Sequence, residues 1–339
     1  MPTIKEVAQK AHVSVGTVSN VISGTVPVSK KLKDRVLDIV QQLDYRPDHV
    51  ARSLKLRQTR TVGLVISDIT DPFFPQVMRG AEDVAWSANY ILITFNSDDQ
   101  PQREQLVLDA LRSRRVDGIL LVAATGTDPA RIRAIQDSGT PVVCLDRDLS
   151  GAGLDCVVVN NFRAARQCVR HLISQGHCKI GLLNGNPTVT VARDRYLGYR
   201  QGLDDAGLAC DERLVVTAGA GCDEALAAAR RMLVAAGRPS VVIAGGMTLG
   251  IGLMRAAREM GLRCPDDLAI TIFDDPAFSE AITPRLTAIA QPSYEIGRKG
   301  MELLLERMQD PHRRRRKLVL ETILRVRESC GAKSRLAQA

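Results

Sequence analysis

Residues 3–24 read T-I-K-E-V-A-Q-K-A-H-V-S-V-G-T-V-S-N-V-I-S-G, a stretch with the periodicity of two short helices joined by a tight turn. Thr3 and Glu6 have the spacing of a capping box, in which each side chain bonds the backbone N–H of the other residue. Ser14 is placed to cap the second helix, and Gly24 is placed to end it. The stretch therefore predicts a helix-turn-helix.

The second helix is predicted to have one packed face and one exposed face. Val18, Val21 and Ile22 have the spacing of the packed face. The exposed face carries small or polar side chains, as a helix that enters the DNA major groove requires. Its residues are Val15, Gly16, Thr17, Ser19 and Asn20. A third helix is predicted to start at Ser29 and to stop at Tyr45-Arg46-Pro47.

The basic charge of the chain is concentrated near its amino-terminal end. The 339 residues hold 46 Lys and Arg against 38 Asp and Glu, a net charge of +8. Residues 1–60 hold 11 basic and 5 acidic residues, which is +6 of that total. A small basic head on a near-neutral body indicates a polyanion-binding module attached to a second domain.

From Thr61 onwards, runs of Val, Ile and Leu alternate with amphipathic stretches. This pattern predicts buried parallel strands with helices on both faces of the sheet, the doubly wound α/β plan. The plan is complete once by residue 145 and then repeats from Val157, which predicts two lobes. The predicted strands are 62–66, 91–95, 118–122 and 142–145, then 157–159, 180–183, 215–217, 241–244, 270–273 and 318–324.

The helix-turn-helix stretch, Y-x-P at Tyr45 and A-R-S-L at Ala51 together resemble the head of the LacI/GalR family of bacterial regulators. The resemblance covers essentially the whole chain. It implies a small all-α head joined to a two-lobed, doubly wound, periplasmic-binding-protein-like sensor. It also implies chain crossovers near residues 161, 290 and 320.

The resemblance implies the following division of the chain. The head is 1–47, the hinge helix and linker are 48–60, and the effector-binding and dimerisation domain is 61–339. Within that domain, lobe 1 comprises about 61–161 and 291–320, and lobe 2 comprises about 162–290 and 321–339.

The resemblance assigns roles to the exposed face of the second helix. It implies that Val15, Gly16 and Asn20 read bases, and that Thr17 and Ser19 hold phosphates. We add the residues that begin the three helices, Thr3, Ser14 and Ser29, to the DNA-binding set.

The hinge, 48–56, is implied to form a helix only on DNA. Leu54 would then wedge into a minor-groove step and Lys55 would read beside it. Ordinary core packing is the alternative for Leu54.

Ligands of open α/β sheets bind beyond the carboxyl ends of the strands, so polar residues there are candidates for the effector site. Residues 195–199 resemble the family's R-x-x-G-aromatic element, whose arginine clamps the effector. Phe273-Asp274-Asp275 resembles its aromatic-D-D element, whose first Asp accepts bonds from ligand hydroxyls, whereas Asp275 is predicted to be structural. The predicted effector-binding residues are Phe73, Phe74, Asp146, Arg147, Arg193, Arg195 and Asp274. Packing in the core is equally compatible with Phe74.

One departure from the family pattern follows the strand 241–244. The family usually has Asn-Asp there, which orients the ligand and caps a helix, whereas this chain has Gly245-Gly246. The pocket at this point is therefore predicted to be roomier or to use backbone N–H groups.

Three arginines near the predicted cleft favour a small anionic sugar, such as a keto-sugar acid of the gluconate kind, because a guanidinium pairs with a carboxylate in a two-pronged manner. In the alternative, Arg147 and Arg193 point to solvent or pair with Asp146 and Asp194, and the effector is a neutral sugar. A purine or a protein co-regulator is a further alternative, and the scarcity of stacking aromatics disfavours a purine.

Other classes of protein lack their sequence signals here. The five histidines have no metal-ligand spacing, and no nucleophile elbow or phosphate loop is present, so we expect no metal, no cofactor and no enzyme activity. The rival, a sugar-acting enzyme with a basic head, lacks an acid–base constellation. The run 313–317, Arg-Arg-Arg-Arg-Lys, fits a solvated loop better than a second DNA contact.

The same features predict the location of the protein. The chain has no apolar run long enough to span a membrane, and its first ten residues lack a secretory signal. Its eight cysteines form no C-x-x-C pair, which is typical of reduced core thiols in a cytoplasmic protein. We therefore expect a cytoplasmic protein with no membrane partner.

These predictions combine into an allosteric transcriptional repressor. One recognition helix reads only a few base pairs, so we expect a homodimer on a palindromic operator. The resemblance implies that an effector closes the two lobes and melts the hinge. Whether the effector releases or promotes DNA binding stays open.

Overall fold

The structure is a computed structural model, and it describes residues 2–23, 26–45, 58–149, 152–219, 221–235 and 237–331. The predicted hinge helix, with Leu54 and Lys55, lies outside the described residues, as does Gly24. The chain forms two compact units, Met1–Thr59 and Arg60–Ala339.

The first unit contains helices α1 (Ile4–Lys10), α2 (Val15–Ser23) and α3 (Lys30–Gln42). The predicted capping box is confirmed, because the Glu6 N–H donates to Thr3 Oγ1 over 3.4 Å and the Thr3 N–H donates to Glu6 Oε2 over 3.2 Å. The Thr17 N–H donates to Ser14 Oγ over 3.1 Å, which caps α2. The core of this unit contains the predicted packing residues of all three helices, which are Val7, Ala8, Ala11, Val18, Val21 and Val36.

The second unit alternates strands and helices through most of its length. Its strands are β1 (Thr61–Ile66), β2 (Ile91–Asn96), β3 (Gly118–Leu121), β4 (Val142–Leu145), β5 (Asp155–Val159), β6 (Ile180–Asn184), β7 (Val215–Thr217), β8 (Val241–Ala244), β9 (Ala269–Phe273), β10 (Thr287–Ala290), β11 (Lys317–Leu320) and β12 (Ile323–Arg325). Its helices are α4 (Phe73–Ser87), α5 (Pro101–Ser113), α6 (Pro129–Asp137), α7 (Asn161–Ser174), α8 (Thr190–Asp204), α9 (Cys222–Val234), α10 (Met247–Glu259) and α11 (Ser293–Gln309).

These strands form two sheets within the described residues, each with six strands. The first has the order β11-β5-β4-β3-β1-β2 and the second has the order β12-β10-β9-β8-β6-β7. Neighbouring strands are parallel except for β12, which runs antiparallel to β10. Strands β3, β4, β5, β8 and β9 are buried along their whole length, as strands covered by helices on both faces must be. The predicted two-lobed, doubly wound fold is confirmed.

Three strand predictions were wrong. Residues 157–159 belong to β5, which pairs with β4 and β11 of the first sheet and does not begin the second. Strand β10 was missed, because Thr-Ala-Ile-Ala is short and lacks a bulky apolar run. The predicted strand 318–324 is two strands, since β11 joins the first sheet and β12 joins the second. A hydrophobic run does not show where the chain passes from one sheet to the other.

A buried ion pair joins α11 to the first sheet. Arg307 Nε donates to Asp155 Oδ2 over 2.8 Å, and the two side chains are 4% and 0% exposed. Asp155 Oδ1 also accepts from the Arg316 N–H over 2.7 Å. Burial of one of these charges without the other would be costly.

The basic run and the cysteines take mixed positions. Arg313 and Arg316 both pair with Glu306, so part of the run is used within the loop. Four cysteines are buried and three are half-buried, but Cys178 is exposed, so the prediction of core thiols was wrong for Cys178. Among the described helices, none combines the length and the apolar composition needed to cross a bilayer.

Candidate functional site

A cavity of about 440 Å³ lies between the two lobes, at the carboxyl ends of both sheets. Its lining is rich in ionisable side chains. They are Asp68, Asp71, Asp98, Asp99, Asp146, Arg147, Arg195 and Asp274. Carboxylates outnumber guanidinium groups in this lining, so the cavity is suited to a ligand that donates hydrogen bonds.

Asp146 and Asp274 occupy equivalent positions in the two lobes. Asp146 follows β4 and Asp274 follows β9, with φ of 61° and 73°, and each residue is 9% exposed. The Asp146 N–H donates to the Val157 carbonyl over 2.9 Å, and the Asp274 N–H donates to the Ile289 carbonyl over 3.1 Å. Asp is one of the few residues with a side chain that tolerates the left-handed region. Both lobes therefore present a carboxylate to the cavity by the same backbone device.

Arg195, in the first turns of α8, is fixed in the second lobe and is 5% exposed. Its Nε donates to Asn161 Oδ1 over 2.8 Å, and its Nη1 donates to the Gly245 carbonyl over 2.6 Å. Its guanidinium also lies against the ring of Phe273. These contacts orient the guanidinium before any ligand arrives.

Burial of the acids alters their proton affinity. Burial raises the pKa of Asp274 to about 6, although the nearby Arg195 lowers it. Burial likewise raises the pKa of Asp71 and of Asp146. Burial lowers the pKa of Arg195, while Asp274, Asp146 and Asp71 raise it. The cavity is thus a desolvated cluster of charges, an environment typical of functional sites.

The other two predicted arginines are placed differently. Arg147 lines the cavity, but its Nη1 donates to Asp99 and, over 2.8 Å, to the Ala123 carbonyl. Arg193 is absent from the cavity lining, pairs with Asp194 over 3.2 Å and has a side chain that is 51% exposed. The structure therefore does not bring Arg193 to the predicted site, and it commits Arg147 to an acid of the same lobe.

The two predicted aromatic residues lie at the boundary between cavity and core. Phe73 and Phe74 line the cavity, yet they are only 7% and 6% exposed. Their rings meet edge to face with centroids 5.1 Å apart. This arrangement offers ring edges for packing and no pair of parallel faces between which a flat base would stack.

Three cavity residues were missing from the sequence prediction. Asp71 precedes α4, Thr248 lies in the first turn of α10, and Gln291 follows β10. Gln291 Nε2 donates to Asp274 Oδ1 over 2.6 Å. The rule that ligands meet strand ends would have found Gln291 if β10 had been recognised. Asp71 and Thr248 lie in loop and helix, where no strand-end signal applies.

In the first unit, the predicted DNA-facing residues lie along α2. Val15, at 41% exposure, and Gly16 are exposed, and the other three are half-buried. Thr3 and Ser14 act as helix caps, whereas Ser29 precedes α3 without a side-chain cap bond. The exposed part of α2 thus has the small side chains that a groove-reading helix needs.

Comparison with known proteins identifies the family. Residues 3–48 match the family model described as bacterial regulatory proteins, lacI family, and residues 169–330 match a periplasmic binding protein-like domain. The chain is 34% identical over 329 residues to the ribose operon repressor of Haemophilus influenzae, covering 97% of this chain and 98% of the relative. The chain belongs to the lacI family of bacterial regulatory proteins.

Other lacI-family proteins match over most of their length. The HTH-type transcriptional repressor PurR of Vibrio atlanticus is 32% identical over 316 residues, covering 93% of this chain and 95% of the relative. The structure of the transcriptional regulator CelR in complex with cellobiose matches with a TM-score of 0.74 at 30% identity, covering 97% of this chain and 100% of the other. This lacI-family chain is a DNA-binding transcriptional repressor with an effector domain, and it is not an enzyme.

Proposed function

We propose that this protein is a cytoplasmic, homodimeric repressor whose operator binding is weakened by a small neutral sugar. The observation that carries the proposal is the buried cluster of Arg195 with Asp71, Asp146 and Asp274 around a cavity between two lobes. Carboxylates accept hydrogen bonds from sugar hydroxyls, and a fixed guanidinium donates to the ring and hydroxyl oxygens. The relatives named for ribose and cellobiose also concern sugars.

The charge of the cavity favours a neutral sugar over the sugar acid expected from the sequence. Six aspartates and two arginines line it, and Asp99 already holds Arg147. A carboxylate ligand would have Arg195 as its main cationic partner and would face several buried acids. The support for gluconate-type effectors is weaker for this reason.

A purine effector has less support from the geometry. Phe73 and Phe74 pack edge to face, and the ring of Phe273 is covered by Arg195. A purine stacked in the cavity would lack an exposed aromatic face to contact.

We propose the boundaries of the units as expected from the family, with the head at 1–47, the linker at 48–60 and the sensor at 61–339. The two sheets support the division of the sensor, because β11 lies in the first sheet and β12 in the second. A ligand that contacts Asp146 and Asp274 together fixes the two lobes relative to each other. Through that constraint on the lobes, we infer, the ligand acts on operator binding.

An exposed apolar edge on the first lobe supports the homodimer. Trp86, at the end of α4, is 79% exposed, and Ile91 and Ile93 of the terminal strand β2 are 64% and 36% exposed. Exposed apolar side chains on an edge strand normally mark a surface that another chain covers.

The test of the proposed function uses the full-length protein and the duplex that it selects from a random library. Thermal-shift screening of neutral sugars and sugar acids finds the effector, because a ligand of the folded state raises the Tm. We expect a neutral sugar to bind and to weaken operator binding. Tighter binding of gluconate than glucose, and of 2-ketogluconate than fructose, would contradict the neutral-sugar proposal.

A further inference from the structure

The wall of the cavity at Gly246 has room for a side chain that is not there. Gly246 precedes α10 with φ 160° and ψ 165°, an extended conformation open to any residue. A Cβ atom placed on Gly246 would have no heavy atom within 4 Å. Packing and backbone geometry therefore do not explain why this residue is glycine.

The neighbouring Gly245 has a structural explanation. A Cβ atom there would lie 2.5 Å from Asn184 Oδ1 and 3.3 Å from the Leu183 carbonyl oxygen. The carbonyl of Gly245 also accepts the bond that fixes Arg195. Gly245 is thus required by packing, whereas the open space at Gly246 points to the ligand that shares this cavity.

The polar groups beside Gly246 define what that space accepts. No side chain caps α10, and the N–H groups in the first turn of a helix have no partner within the helix. On the other side, Thr248 Oγ1 donates to Asp71 Oδ2 over 3.3 Å, which brings a carboxylate of the first lobe close. A hydroxyl accepts from the amides and donates to the carboxylate, whereas a ligand carboxylate only accepts and would repel Asp71.

We propose that the effector carries a hydroxyl-bearing arm beyond its sugar ring, and that Gly246 admits this arm. The smallest such arm is the exocyclic hydroxymethyl group of a hexose, and a second sugar ring is the largest that we consider. The inference rests on the proposed function, since it assumes that a sugar occupies the cavity. It adds that Gly246 selects against sugars without the arm.

The test compares each hexose with the pentose that lacks only the hydroxymethyl group. The pairs are glucose with xylose, allose with ribose and galactose with arabinose, each also measured as a disaccharide of the hexose, by calorimetry on the full-length protein. We expect the preferred hexose or its disaccharide to bind at least about tenfold more tightly than the matching pentose. Equal or tighter binding of the pentose overturns the inference.

Gly246→Asp fills the space and is the decisive variant. We expect it to weaken binding of the preferred sugar at least about tenfold and to change pentose affinity less than about threefold. Its Tm should equal or exceed that of the wild type, because Asp caps helices well. Gly246→Ala, which fills little of the space, should bind like the wild type. Unchanged selectivity in a folded Gly246→Asp protein overturns the inference and leaves the proposed function standing, whereas a wild type that binds none of these sugars overturns both.

Discussion

The guanidinium carbon of Arg195 lies 3.9 Å from the centre of the Phe273 ring. Phe273 ends β9, and Asp274 follows it directly, so one strand end supplies both the platform under the arginine and the acid beside it. The stack and two hydrogen bonds hold Arg195 in one orientation. Lysine has the charge but lacks the planar group that makes these contacts.

Arg195→Lys is therefore expected to weaken sugar binding at least about tenfold despite its unchanged charge. The measurement is calorimetric titration with the sugar found by screening. Arg193→Lys is the matched control, because Arg193 lies outside the cavity, and it should bind like the wild type. Equal losses in the two variants would show that Arg195 has no special role.

Asp274→Asn should stabilise the ligand-free protein at pH 7.5. The pKa of Asp274 is raised to about 6 from 3.8, so its contribution to stability is full below pH 4 and is lost as the pH rises through 6. Asn removes the buried charge and also tolerates the left-handed backbone at this position. We expect a gain of roughly 1–3 kcal/mol at pH 7.5 that shrinks as the pH falls towards 4.

Asp275 is the matched control, with the opposite sign. Although burial raises its pKa, the hydrogen bond and charge of Arg327 lower it below the usual value. Asp275→Asn should therefore lower the Tm at pH 7.5, and thermal unfolding between pH 4 and pH 8 measures both variants. A lower Tm for Asp274→Asn at pH 7.5 would contradict this account.

Asp155→Asn should destabilise the protein by about 3–5 kcal/mol, because it leaves the charge of Arg307 buried without its partner. Urea unfolding measures the change. Glu259→Gln removes the acid of an exposed pair with Arg230 and should cost less than about 1 kcal/mol. Similar losses in the two variants would mean that burial does not set the strength of the Asp155–Arg307 pair.

Trp86→Glu should convert the proposed dimer to a monomer, because it places a charge in the apolar edge formed with Ile91 and Ile93. Analytical ultracentrifugation at micromolar protein gives the mass directly. Leu197→Glu, on the second lobe, also replaces an exposed apolar residue, at 42% exposure, and should remain dimeric. A wild type that sediments as a monomer, both free and on operator DNA, would rule out the homodimer.

The sequence predicted the parts of this molecule whose signals are local. Capping at Thr3 and Ser14, and the buried runs of β1, β3 and β8, depend on neighbouring residues and short-range periodicity. The break between β11 and β12 depends on which sheet receives each strand, and no local pattern records that choice. The same limit applies to the site: Arg195 and Asp274 stood in recognisable motifs, whereas the cross-lobe bond between Asp71 and Thr248 joins residues far apart in the chain.

The most direct test of the central claim is a titration of the protein–operator complex, followed by fluorescence anisotropy, with the sugar that screening identifies. The account predicts that a neutral sugar weakens operator binding by the wild type at least about tenfold. It also predicts that Asp274→Asn still binds the operator but loses this response, since Asp274 contacts only the effector. A response that persists in Asp274→Asn, or an operator complex that responds only to sugar acids, would contradict the claim that a neutral sugar acts through this cluster.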